Sequence, residues 1–117
     1  MPKPLIWLGD SLETVRSFPK SARVPLGDAL NALKQGKRPI DTKSLNTVAA
    51  GVAEIRVHDE GNNQYRVIYI AKIAGSVHVL HAFQKKTRRT RQSDLDIARE
   101  RLKELRQELR NEKSRRK

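Results

Sequence analysis

The sequence predicts an α+β domain: a short strand and two helices, then a small antiparallel sheet, then one long terminal helix. Three observations predict it. Apolar residues recur at helical spacing before residue 36 and after residue 93. Between 51 and 85 they alternate with a period of two. Turn-type sequences punctuate that alternating stretch. The 117 residues fit a single domain spanning 1–117, whose core would bury roughly two-thirds of the unfolded chain's surface without disulfide staples.

Leu5-Ile6-Trp7-Leu8 before Gly9-Asp10 reads as a first strand. Asp10 and Glu13 have the spacing of a helix N-terminal box, and Leu12, Val15 and Phe18 follow it. Pro19 ends this short helix or opens the next. A second helix is expected from about 20 to 35, with Val24, Leu26, Ala29, Leu30 and Leu33 as its apolar positions. Pro25 kinks or delays that helix, and Gly36 caps it. Residues 36–51 show no period and read as a long connecting loop.

Three strands follow, Gly51–His58, Gln64–Ile73 and Ser76–Lys85, joined by turns at Asp59–Asn63 and Ala74-Gly75 into an antiparallel meander. In the middle strand Tyr65, Val67, Tyr69, Ala71 and Ile73 share an apolar face that should lie on the two N-terminal helices, while Arg66 and Lys72 point the other way. The last helix is expected over about 93–113, capped by Ser93 or Asp94, with a frayed tail at 114–117. Leu95, Ala98, Leu102, Leu105 and Leu109 form its apolar seam, beside an acidic row of Glu100, Glu104, Glu108 and Glu112.

Composition narrows the function. Lys and Arg number 25 against 13 acidic residues, a net charge of +12 at pH 7. Such a field attracts polyanions: RNA, DNA or an acidic protein. There is no cysteine, so disulfides and thiolate metal sites do not arise. No apolar run reaches membrane-spanning length and no secretory segment opens the chain, so a cytoplasmic location is expected.

Two groups of residues carry candidate chemistry. By strand alternation Glu54, Arg56, Arg66, His81 and Lys85 collect on one outer face of the sheet, with Phe83 between the last two, while Leu80, Ala82 and Gln84 point the other way. Cutting RNA without a metal needs a base for the ribose 2′-OH, an acid for the leaving oxygen and cations for the phosphorane. A carboxylate, an imidazole and arginines match that need. Each also fits a plainer role: a solvated Glu54–Arg56 pair, a core histidine at 81, a packing ring at Phe83. The second group is the run Lys85, Lys86, Arg88, Arg89 and Arg91, five cations in seven residues with no acid. That is a footprint for phosphate or for an acidic partner.

The phrases IWLGDSLETVRSFP, GVAEIRVHDE, QYRVIYIA and VLHAFQKKTRRT with SDLDIARERLKE, in this order of elements, resemble the RelE/ParE toxin superfamily, and within it the phage-derived, HigB-like branch. The resemblance implies a RelE-like α+β fold and a toxin of a type II toxin–antitoxin system that cleaves mRNA, often on the ribosome, with no cofactor and no metal. Its implied partner is a small helix-turn-helix antitoxin encoded next to it. Arg66, Arg56, Glu54, His81 and Lys85 become the implied catalytic set, and Lys86, Arg88, Arg89, Arg91 and Phe83 the RNA- or ribosome-binding set. Ala53 departs from the branch, where a large aromatic is expected. Two other functions fit the same chain: a non-enzymatic DNA gyrase inhibitor like the ParE branch, and a plain basic nucleic-acid-binding module.

Overall fold

The structure, a computed structural model, describes residues 2–39, 41–89 and 91–115. Its elements run β1 (Leu5–Trp7), α1 (Ser11–Arg16), α2 (Lys20–Lys34), β2 (Thr42–Ser44), β3 (Val52–His58), β4 (Gln64–Ile73), β5 (Ser76–Lys85) and α3 (Gln92–Arg115). The class is α+β as expected, but the five-stranded sheet is mixed, in the order β1-β5-β4-β3-β2. β3, β4 and β5 form the antiparallel meander. β1 then pairs parallel to β5, Leu5 opposite Val77 and Trp7 opposite Val79. A parallel pair needs a long crossover, and everything between the two strands supplies it.

The segment expected as a loop over 36–51 contains β2, paired antiparallel with β3. Three residues are too few to show a period, so only the partner strand makes this one visible. The peptide N–H of Leu45 donates to the carbonyl of Val52 at 2.8 Å and continues the ladder towards the turn.

α2 runs unbroken through Pro25. It ends as Gly36 predicts: Gly36 has φ +77°, its N–H reaches the Leu33 carbonyl, and the Lys37 N–H reaches that of Ala32, a Schellman closure. Val24, expected on the apolar face, is 56% exposed; Ala22, Leu26, Leu30 and Leu33 are the buried set. The expected capping box at α1 does not form. Asp10 makes no side-chain cap bond and instead accepts from Arg101 Nη2 at 2.8 Å, while Arg101 Nη1 donates to the Leu80 carbonyl at 2.9 Å. One arginine thus straps α3 to the β1–α1 corner. Gly9, at φ +54°, lies beneath that guanidinium, where any Cβ would collide with it.

Both faces of the sheet are covered. On one face Val15, Phe18, Leu26 and Leu30 from the α1–α2 segment pack on Ile55, Val57, Tyr65, Val67, Tyr69, Val79 and Ala82 of the sheet. Under α3 lie Val52, Ile68, Ile70, Leu80 and Phe83, packed on Ala98, Leu102 and Leu105. The terminal seam therefore serves the protein's own core. Ile73 belongs to this second cluster rather than with Tyr65, because the β4–β5 register shifts between Ile70 and Ile73. A further shift pairs Ile68 with His81 but Tyr69 with Val79. Leu80 is the extra residue, so it lies on the same side as His81 rather than opposite it.

α3 starts at Gln92, with the N–H groups of Asp94 and Leu95 both reaching the Arg91 carbonyl. Asp94 is therefore a first-turn residue rather than the cap, placed where a negative charge suits the helix dipole. Of the tail expected to fray over 114–117, residues 114 and 115 continue the helix, and 116 and 117 lie outside the described residues.

Candidate active site

Register sets which side chains meet. On the α3 side of the sheet one row reads Lys43, Glu54, Ile68, His81; the next reads Arg56, Arg66, Phe83. α3 covers the apolar part of these rows and ends its seam at Leu95. Beyond it a cleft of about 280 Å³ remains, walled by Lys43, Glu54, Arg56, Arg66 and Lys85, with Arg88 and Arg89 from the basic loop along its rim. The face expected to be an open outer surface is thus half roofed, and its charged residues lie in a recess.

Glu54 and Arg66 are the buried centre of this recess, 3% and 6% exposed. Arg66 Nε stands 3.8 Å from Glu54 Oε1, an ion pair too long for a hydrogen bond. Arg66 Nη1 donates to the Tyr65 carbonyl at 3.1 Å. Glu54 Oε2 and Arg66 Nε have no hydrogen-bond partner among the described residues. Burial pushes the Glu54 carboxyl above the usual glutamate range, against the pull of Arg66 and Lys43. Burial likewise lowers Arg66. It also lowers Lys85, with the Arg66 charge next in weight. All three shifts say that desolvation outweighs pairing here. Arg56 is steadied from outside by Asp41, with Nη2 2.6 Å and Nε 2.9 Å from the same carboxylate oxygen.

The other expected residues sort differently. His81 is not a wall of the cleft. Its Nε2 is 2.7 Å from Asp94 Oδ1 on α3, and its ring stacks on Phe83 with centroids 5.4 Å apart. That is the hydrogen-bonded core histidine, fixing helix to sheet. Phe83 is 8% exposed within the core under α3, so a base-stacking platform is corrected to a packing ring. Lys86 and Arg91 are exposed outside the cleft. Thr90, within the basic run, lies outside the described residues. The sequence reading missed Lys43, which carried no signal while its strand was invisible; only the register that sets it opposite Glu54 reveals it.

A groove of about 600 Å³ between α2 and β3 has four carboxylates, Asp28, Asp41, Asp59 and Glu60, on its walls against the guanidiniums of Arg38 and Arg56. Those carboxylates repel phosphate, so the smaller basic cleft is the site that fits an RNA backbone. Among the described residues no group of three His, Cys, Asp or Glu is placed to hold a metal ion, and no helix is long and apolar enough to cross a membrane.

Comparison with known proteins agrees with the phage-derived part of the resemblance. A comparison with the curated proteins finds no match. The model of the family described as Phage derived protein Gp49-like (DUF891) matches residues 13–103, from within α1 to the middle of α3 and across every wall of the cleft. The chain belongs to this Gp49-like phage-derived family.

Proposed function

We propose that this protein is the toxin of a type II toxin–antitoxin pair, a RelE/ParE-type endoribonuclease of the HigB-like kind that cleaves mRNA on the ribosome without a metal. Membership of a phage-derived family of toxin-like proteins supports the coarse reading. The observation that carries the finer one is the buried Glu54–Arg66 pair with unspent hydrogen-bonding atoms on the floor of a cationic cleft. A buried, under-satisfied ion pair is costly to a fold. Perturbed carboxyls in clefts are characteristic of catalytic sites.

In this reading an RNA phosphate enters between Arg56, Arg66 and Lys85. Glu54 accepts the proton of the neighbouring 2′-OH, and a carboxyl held above its usual range is the stronger base for that task. The O2′–P bond forms as the P–O5′ bond breaks. Arg66 and Arg56 hold the extra charge of the phosphorane. Lys85, whose ammonium is held below the usual lysine range by burial and by Arg66, protonates the leaving 5′-oxygen, while His81 is engaged with Asp94. The products are a 2′,3′-cyclic phosphate and a 5′-hydroxyl. Lys43, Arg88 and Arg89 hold the flanking phosphates. The partner is a small antitoxin whose acidic segment covers the same cations.

Brief expression of the chain alone tests this. Protein synthesis should fall before DNA synthesis, and new mRNA 5′ ends should map within coding regions. If DNA synthesis falls first and no new ends appear, the gyrase-inhibitor reading replaces this one.

A further inference from the structure

We propose that Asp41 is a positioning residue for the cleavage reaction: it holds the Arg56 guanidinium by one edge, so that the opposite edge is presented to the RNA phosphate. The proposal rests on the cleavage reading and extends the site to a residue that does not line the cleft.

The hold is threefold. Asp41 Oδ1 accepts from Arg56 Nε at 2.9 Å and stands 2.6 Å from Nη2. The peptide N–H of Arg56 donates to the Asp41 carbonyl at 3.0 Å. That main-chain bond carries the β2–β3 ladder one step past the pair Thr42–Ile55. An aspartate has only a short arm, so the backbone contact fixes where its carboxylate lies. Nε and Nη2 share one edge of the planar guanidinium. Nη1 makes no hydrogen bond with any described residue. With the second N–H of Nη2 it forms an unspent fork, the arrangement that grips phosphate with two bonds.

Arg56 needs such a hold. Arg66, opposite it on β4, is 6% exposed and is fixed by burial. The Arg56 side chain is 41% exposed. It is also the one residue common to the walls of the cleft and of the groove between α2 and β3. That groove carries Asp28, Asp59 and Glu60 as well, so a guanidinium released from Asp41 has other carboxylates to turn to, away from the cleft. A cation stabilises a phosphorane best where it is already in place.

Neither stability nor substrate binding accounts for the carboxylate. The Asp41 side chain is 55% exposed, and an exposed ion pair adds little to a fold. A negative charge beside a phosphate site weakens substrate binding by charge alone. What Asp41 does supply is the orientation of Arg56.

Cleavage of an mRNA presented on purified ribosomes tests the proposal, with Asp41→Ala, Arg56→Ala and the double variant. Asp41→Ala should lower kcat about tenfold or more, the cost of a misplaced catalytic group. Its KM should be equal or lower, because a repelling charge is gone, and its melting temperature should change little. In the Arg56→Ala background the same substitution should lower kcat no further, because the residue it acts through is absent. Wild-type kcat in the folded Asp41→Ala variant, an equal fall in the Arg56→Ala background, or no effect of Arg56→Ala itself overturns the proposal and leaves RNA cutting standing. A wild-type chain that cuts no RNA overturns the cleavage reading, and this proposal with it.

Discussion

The two faces of the sheet are covered by helices of opposite habit. Under α1 and α2 the buried contact is mainly apolar, with Leu26 and Val67 at 1% exposure or less, and its buried polar groups, Ser11 and the Tyr65 hydroxyl, carry no charge. Under α3 it is apolar only where the leucine seam reaches, and the same strands then carry Glu54, Arg56, Arg66 and Lys85 into a recess. Both faces use the same three strands, so propensity does not separate them. The difference teaches that one face holds the fold, while the other spends part of its burial on charges that an apolar core would omit.

The comparison can be broken most forcefully on the apolar side. Leu26→Ala should cost about 2–5 kcal/mol, read from the denaturant midpoint at unchanged slope. A loss below about 1 kcal/mol would mean that α2 is not what closes the fold.

On the charged side Arg66→Lys is the cleaner probe, because Arg66→Ala would strand Glu54 in a buried site without its counter-charge. Lysine keeps the charge but loses the planar fork. The proposed cleavage should drop about 10²–10³-fold, equivalent to about 2.7–4 kcal/mol of transition-state stabilisation, with the melting temperature little changed. Wild-type cutting by the folded variant would remove Arg66 from the site.

The pH dependence sharpens the same contrast with a smaller effect. Glu54 must be ionised to act as base. Because burial raises its pKa, the acid limb of kcat/KM should lie above the ordinary glutamate value. Lys85 must stay protonated to act as acid. Because burial and Arg66 lower its pKa, the alkaline limb should lie below the ordinary lysine value. Each pH unit beyond a limb costs about tenfold, or 1.4 kcal/mol. A profile whose acid limb sits at the value of a free carboxylate would show that Glu54 is not the base.

Much of this was legible in residue order. Periodicity placed both large helices, the three meander strands and the apolar side of β4, because each of those segments is long enough to repeat. Gly36 announced the end of α2, since a left-handed closure is open to few residues other than glycine. The Lys85–Arg91 run announced by charge alone the cations that Lys85, Arg88 and Arg89 bring to the cleft. Arg66 stood out as one cation between core residues.

The tertiary structure alone decided the rest, for one physical reason: those outcomes depend on which elements meet. β2 exists because β3 offers it a ladder, and with it came Lys43. The bulge moved Leu80 to the α3 side beside His81, and the docking of α3 brought Asp94 to His81, outside the recess. Asp10 gave its carboxylate to Arg101 rather than to its own helix. Above all, the seam of α3 could be read from the sequence, but not how far along the sheet it would reach. That reach buries Phe83, leaves Glu54 and Arg66 at the bottom of a cleft, and so divides one strand face into core and site.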